Sequence, residues 1–253
     1  MSLPAIKTIK LSKFYGKFPA CIDINLNVEK GDIFAFIGPN GAGKTTTIKM
    51  LTGILKPTEG NVLINGIDIN QEPLKAKKII GYVPDRPFLY EKLTGKEFLN
   101  MVKEIFNVTD NKYNKMLEYY LEYFDFKDRI YDLIENYSHG MKQKIILISA
   151  FVHDPEIIIM DEPLIGLDPK STKLLKELII NLSKKGKTFF ISTHILSLVE
   201  EICNHFAIIN KGKIVLTDCM ENLKKQYEKL VLEDFFLEIT NGGEKIFSTI
   251  DKK

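Results

Sequence analysis

Residues 38–45 read GPNGAGKT, the pattern GxxxxGK[ST], directly after the apolar run Ile33 to Ile37 and directly before a helix-forming stretch, Thr45 to Leu51. Nothing else in the chain constrains its fold as strongly. Gly38, Gly41 and Gly43 let the backbone curl so that its N–H groups point inward, and the following helix aims the positive end of its dipole at the same spot. The result is a cradle for phosphate oxygens. By chance the pattern arises in about one chain in a hundred of this length at average residue usage, so the flanking strand and helix carry its meaning. In such a loop Lys44 reaches β- and γ-phosphates and the Thr45 hydroxyl holds Mg²⁺.

A second motif lies downstream. Residues 157–163 read IIIMDEP, an apolar strand ending in two adjacent carboxylates. At the C-terminal edge of a parallel sheet such residues face the ligand crevice. There Asp161 can hold Mg²⁺ and Glu162 can take a proton from an attacking water. The plainer alternative is a capping pair at a strand end.

The rest of the chain is organised around these two segments. Short β-rich stretches at Ile6 to Leu11, Ile22 to Val28 and Asp32 to Ile37, with a turn at Asn65-Gly66 after Asn61 to Ile64, predict strands in the N-terminal third. The middle reads as helices. Thr94 and Glu97 make a capping box, followed by Phe98, Val102, Ile105 and Phe106 on one helical face. Met116, Leu117, Tyr120, Leu121 and Phe124 share the helical period, Ser138 to Val152 is a third helix, and Leu174, Leu175, Leu178, Ile179 and Leu182 mark a fourth, closed near Gly186. Thr188 to Ser192 is a strand, and Phe206 to Ile209 with Lys213 to Leu216 form a hairpin about Asn210-Lys211-Gly212. Buried apolar strands alternating with helices predict an α/β chain with a parallel sheet, into which a helical block at about 87–150 is inserted.

Composition excludes several classes. The 253 residues are 45% hydrophobic and 27% charged, the balance of a folded globular chain. A formal charge of +2, with Arg86 and Arg129 the only arginines among 35 basic residues, argues against nucleic acid as a partner. The longest uncharged apolar run, near Ile145 to Val152, is far short of a membrane span, and no secretory signal is expected. Cys21, Cys203 and Cys219 are scattered without metal-ligand spacing, which fits a reducing, cytoplasmic setting.

With four further segments the chain resembles the nucleotide-binding subunit of an ABC (ATP-binding cassette) transporter, over about residues 5–216 and in that family's motif order. The resemblance implies a P-loop NTPase core with a mainly parallel sheet, an N-terminal antiparallel β-subdomain and an inserted α-helical subdomain. It implies a cassette over 1–216 and a short extension over 217–253. It also implies ATP and Mg²⁺ as ligands, with nucleotide contacts from Tyr15, Gly38, Pro39, Asn40, Gly41, Ala42, Gly43, Lys44, Thr45 and Thr46. Tyr15 stands where the family places an aromatic that stacks on adenine; a buried tyrosine is the alternative. His194, in ISTH, is similar to the switch histidine that contacts the γ-phosphate and orients water and Glu162, 32 residues upstream. YSHGMKQK at 137–144 resembles the family signature, in which Ser138 and Gly140 bind the nucleotide held by a second cassette; GLDP at 166–169 resembles the loop whose Asp168 communicates across that dimer.

Some positions depart from the family pattern. His139 and Met141 replace a Gly and a Gln; His139 either adds partial positive charge near phosphate or is a plain surface residue. Asp85 stands where the family has Gln: it can ligate Mg²⁺ through oxygen, as Asp161 and Thr45 can, but has no amide N–H to donate. LEDFFLEIT at 232–240 resembles a segment of cassettes from drug, polysaccharide and ion exporters. The resemblance implies an ATPase on the cytoplasmic face of the cell membrane, peripheral, partnered by a second cassette and an integral membrane permease. Phe88, Leu89 and Tyr90 are candidates to line the permease groove, with core packing as their equal rival. A non-transport ABC-type ATPase, such as one in iron–sulfur cluster assembly, is the alternative.

Overall fold

The protein is described from a computed structural model, over residues 3–226 together with Phe236. Two long strands, β1 (Ile6–Tyr15) and β2 (Phe18–Val28), open the chain and pair antiparallel. They are followed by β3 (Ile33–Ile37), the glycine loop, α1 (Lys44–Leu51), β4 (Glu59–Ile64) and the short β5 (Ile67–Asp68). Asn65 and Gly66 between β4 and β5 both take positive φ, 47° and 81°, the combination a tight hairpin needs. Next come α2 (Pro73–Lys78) and β6 (Ile80–Val83), then three helices, α3 (Gly95–Phe106), α4 (Asp110–Tyr123) and α5 (His139–Phe151). The chain continues through β7 (Ile157–Asp161), α6 (Pro169–Ser183), β8 (Thr188–Thr193), α7 (Leu196–Ile202), the hairpin β9 (His205–Asn210) and β10 (Lys213–Cys219), and α8 (Met220–Gln226).

The strands form two sheets. One is antiparallel, ordered β2-β1-β4-β5; the other is ordered β10-β9-β3-β8-β7-β6, parallel from β9 to β6 with β10 antiparallel at its edge. Three of its four inner strands, IFAFI, IIIMD and TFFIST, are buried at every position, because both faces are covered. Their period of two sorts the side chains. Phe34, Phe36, Ile159 and Phe190 join the core shared with the antiparallel sheet and α1. Ala35, Ile37, Ile158, Met160, Phe189 and Ile191 join the core shared with the helices. The ring pair Phe34–Phe190, stacked at 5.6 Å, lies on the first of these faces.

Local signals and structure agree closely in the helical block. Thr94 and Glu97 form the reciprocal capping box of α3, and Asn107 ends that helix in the left-handed conformation. Ser138 caps α5 by accepting from the Met141 N–H at 3.3 Å. Leu117, Tyr120, Leu121 and Phe124 are buried, with Tyr120 stacked on Phe151 of α5.

Three expectations are corrected and one strand is added. Ile105 is not on the buried face of α3 but 63% exposed; Leu99, one position beyond Phe98, is fully buried instead. β1 and β2 run on to Tyr15 and begin at Phe18, so the two strands meet in a tight turn rather than a long loop. The edge strand β6, short and interrupted by Gly81, is found only by its pairing with β7. Core packing fails for two of the three aromatic-segment residues: Phe88 is 81% and Tyr90 53% exposed, while Leu89 alone packs against the helical core. The segment 232–240 lies outside the described residues except for Phe236, which packs against that same core.

Candidate nucleotide site

The glycine loop leaves the C-terminal end of β3 and enters α1 at Lys44. Gly43, at φ 109°, makes the junction; a Cβ there would stand 2.6 Å from the Ala20 carbonyl oxygen, so only glycine fits. Lys44 is 7% exposed and folds back over the loop, its ammonium donating to the carbonyls of Gly38 (2.7 Å) and Pro39 (3.3 Å). The Ala42 N–H donates to Pro39 O at 3.2 Å and closes the loop below.

Strand β7 is hydrogen-bonded to β8, and its end brings in the carboxylates. Asp161 is fully buried; one carboxylate oxygen accepts from the Ser192 hydroxyl, and the Thr45 side chain lies near enough to lower its pKa. Its other oxygen has no partner. Burial pushes the Asp161 pKa up; the hydrogen bonds from Ser192 and Thr45 oppose this, and the neighbouring charges of Asp85 and Glu162 add to the rise. Glu162 sits in the left-handed region at φ 49°, a conformation that costs a non-glycine residue about 1 kcal/mol or more. Its N–H is held by Ser192 O at 3.1 Å. Glu162 Oε1 accepts from His194 Nδ1 at 2.9 Å and lies 3.6 Å from the Lys44 ammonium, while Oε2 is buried and unpartnered.

Lys44, Glu162 and His194 face one cavity of about 700 Å³. Asn40, Gly41, Gly43, Lys44, Thr45 and Thr46 line it together with Glu162, His194, Asp85 and Arg86. Tyr15 and Phe18, cross-strand partners at the β1–β2 turn, also line it. Tyr15 is 51% exposed, which removes the buried-tyrosine alternative, and Lys13 lies 5.7 Å from its ring centre. Gly38, Pro39, Ala42 and Asp161 stand behind the lining, and Ser138, Gly140 and Asp168 do not line it. Ser138 instead caps α5, and Asp168 caps α6, accepting from Ser171 N at 2.9 Å and Ser171 Oγ at 2.6 Å. Those two bonds hold the Asp168 carboxyl below the usual carboxylate range.

Sequence reasoning missed three residues, Phe18, Ser192 and Arg86, and left the place of His139 open. Phe18 was detectable as a second aromatic three residues from Tyr15; Ser192 was not, because only the β7–β8 pairing brings it to Asp161. Arg86 follows Asp85 in the lining. His139 lines the cavity of its own chain and packs on Gly166 (φ 84°), where any Cβ would overlap the imidazole ring.

The oxygen set suits Mg²⁺. Asp161 offers a buried oxygen without a partner, beside the Thr45 hydroxyl, and among the described residues no cluster of three or more His, Cys, Asp or Glu is arranged to enclose a metal. A cation held by one or two protein oxygens, with phosphate and water completing its shell, is the way Mg²⁺ is commonly bound. A second, apolar cavity of about 230 Å³ lies between the sheet and the helices, lined by Ile54, Tyr82, Val102, Phe106 and His153.

A glycine loop joining a parallel strand to a helix, faced by the carboxylates of a neighbouring strand, defines a P-loop nucleoside-triphosphatase. The comparisons specify the kind. The sequence matches the ABC transporter family over residues 21–165. It is 39% identical over 225 residues to the bacitracin transport ATP-binding protein BcrA of Bacillus licheniformis, covering 88% of this chain and 72% of that protein. It is 32% identical over 242 residues to the ABC-type transporter ATP-binding protein EcsA of Bacillus subtilis, covering 95% of this chain and 97% of that one. Other relatives are longer, and the match spans 59–66% of their length. A solved ATP-binding subunit of an ABC transporter superposes with a TM-score of 0.88 at 31% identity, over 92% of this chain and 98% of that one. The chain belongs to the ABC transporter family, as an ATP-binding subunit with ATPase activity.

Proposed function

We propose that this subunit binds and hydrolyses Mg²⁺–ATP to energise export through a separately encoded membrane permease. The observation that carries the reading is the Glu162–His194 pair, hydrogen-bonded at 2.9 Å and facing the phosphate loop across one cavity. The adenine stacks on Tyr15, the loop from Gly38 to Thr46 cradles the phosphates, and Lys44 turns from its own loop carbonyls to the β- and γ-oxygens. Thr45 and Asp161 would hold Mg²⁺, with Asp85, which lines the same cavity, as a third candidate; the cation would neutralise charge on the phosphate oxygens. Glu162 accepts a proton from the water attacking the γ-phosphorus, and His194 orients Glu162 through Nδ1. Its unpartnered Oε2 leaves an acceptor free for that water.

Ser138 and Gly140 then serve the nucleotide of a second cassette, and Asp168 lies at the junction. Because ATP would bridge the two halves, its γ-phosphate supplies the differential affinity for a closed dimer that a conformational cycle needs. The cassette is assigned to 1–216, with 217–253 as an extension. Among the described residues no helix is long and apolar enough to cross a membrane. A peripheral position on the cytoplasmic face therefore depends on a permease. The apolar cavity beside Tyr82 and Phe106, with the exposed rings of Phe88 and Tyr90, supports that docking role. Export is favoured by the transport and resistance names of relatives such as BcrA and the linearmycin resistance protein LnrL. The iron–sulfur cluster alternative has no comparable support. Purification of the tagged chain from detergent-solubilised membranes should recover a multi-spanning protein; recovery of cluster-assembly proteins alone would overturn the transport reading.

A further inference from the structure

Ser192 stands on β8, the strand between β3, which leads into the phosphate loop, and β7, which ends in the carboxylates. It is in register with Asp161 on one side and Phe36 on the other, and it is fully buried. A hydroxyl has one proton to donate and can also accept. Here the proton goes to Asp161 Oδ1, and the same oxygen accepts from the Glu162 N–H at 3.3 Å. That N–H is shared with the Ser192 carbonyl at 3.1 Å. One residue thus touches both members of the carboxylate pair.

The two contacts differ in what they control. Glu162 keeps its bond to the Ser192 carbonyl whatever the side chain is, and His194 holds the Glu162 carboxylate at 2.9 Å. Asp161 depends on the hydroxyl itself. Its Oδ1 is taken by Ser192, and its Oδ2 is buried with no partner among the described residues. The terminal torsion of an aspartate is broad and soft, so the carboxylate is not oriented by its own bonds. With Oδ1 fixed, it cannot turn without breaking a buried hydrogen bond, and Oδ2 stays presented as an acceptor.

We infer that Ser192 is a positioning residue for the divalent cation: its hydroxyl fixes one Asp161 oxygen so that the other is presented to Mg²⁺. The inference rests on the reading of Asp161 as a Mg²⁺ ligand. Hydrogen-bond partners that orient metal-holding carboxylates typically change metal affinity by about 10–100-fold when they are removed. A hydroxyl that only satisfied its buried neighbours would change the stability of the fold and leave the cation's contribution to nucleotide binding as it was.

The test is equilibrium binding of AMP-PNP, a non-hydrolysable ATP analogue, to the full chain with Mg²⁺ and again in EDTA; the ratio of the two affinities is the gain due to the cation. Ser192→Ala should shrink that gain by about tenfold or more, while affinity in EDTA stays within about twofold of native. Ser192→Thr keeps the hydroxyl and should keep the gain. If a thermal melt shows Ser192→Ala unfolded, Ser192→Thr against Ser192→Val, similar in shape and differing by the hydroxyl, makes the same comparison. An undiminished gain without the hydroxyl, or equal losses with and without Mg²⁺, would overturn the inference. If Asp161→Asn keeps the gain, the reading of Asp161 as a Mg²⁺ ligand fails instead.

Discussion

Replacing Glu162 by Gln separates chemistry from binding at this site. The amide matches the carboxylate in shape, and its oxygen can still accept from His194 Nδ1, at 2.9 Å in the native protein. Two things are lost: the base and the negative charge beside Lys44. A positioned general base is worth about 10²–10⁴ in rate, or roughly 3–5 kcal/mol of barrier, so turnover should fall by that factor. The charge works in the other direction. At 3.6 Å and an effective dielectric of about 20, the Lys44–Glu162 attraction is about 4–5 kcal/mol before desolvation is counted. ATP must draw Lys44 away from this partner. Removing the carboxylate charge should therefore tighten ATP binding, by up to about tenfold once Lys44 keeps its bonds to the Gly38 and Pro39 carbonyls. Single-turnover hydrolysis and equilibrium ATP binding on the purified variant measure the two effects. Turnover within tenfold of the native protein would remove Glu162 as the base, and weaker ATP binding would refute the competition for Lys44.

Lys44→Ala should weaken ATP and ADP binding together, since both carry the β-phosphate the lysine reaches; calorimetric titration showing unchanged affinity would contradict the phosphate-loop assignment. Gly166→Ala forces a Cβ into the His139 ring at φ 84° and should lower the melting temperature by several degrees; adding His139→Gly should recover the steric part but not the backbone strain. A melt of Gly166→Ala equal to the native one would show that the His139 contact is not kept in solution. His153 is buried, stacked on Phe106 and bonded to Ile80 O at 3.1 Å, and burial holds its pKa below 6.5. The unfolded chain takes up a proton near pH 6.5 and the folded chain does not, so stability falls as pH drops through 6.5, until the folded pKa is passed. Urea midpoints at about pH 7.5 and 5.5 should differ less in His153→Phe, and an unchanged difference would assign the slope to other groups.

The phosphate loop, the paired carboxylates and the capping box were legible because each is local. A glycine spacing, a strand ending in DEP and a Thr with Glu three residues on specify backbone geometry within a few residues of themselves. Ile105 shows the limit: on a 3.6-residue period it and Leu99 both lie near the apolar stripe of α3, and which one is buried depends on where neighbours such as α5 press. β6 shows another, since a four-residue edge strand with a central glycine has little propensity of its own and exists by pairing with β7.

The sequence by itself therefore determined the class of chemistry, through Gly38 to Thr46, Asp161, Glu162 and His194, because those residues act through short-range backbone geometry and fixed chemical type. It also determined the α/β alternation, which follows from the two hydrophobic periods. Only the tertiary structure decided that Ser192 supports Asp161, that Lys44 rests against Glu162, that His139 packs on Gly166 of its own chain, and that Arg86 lines the nucleotide cavity. Each is a meeting of side chains from different strands or loops. Their separation in space is set by sheet order and by how the helical block packs, quantities that no local pattern encodes.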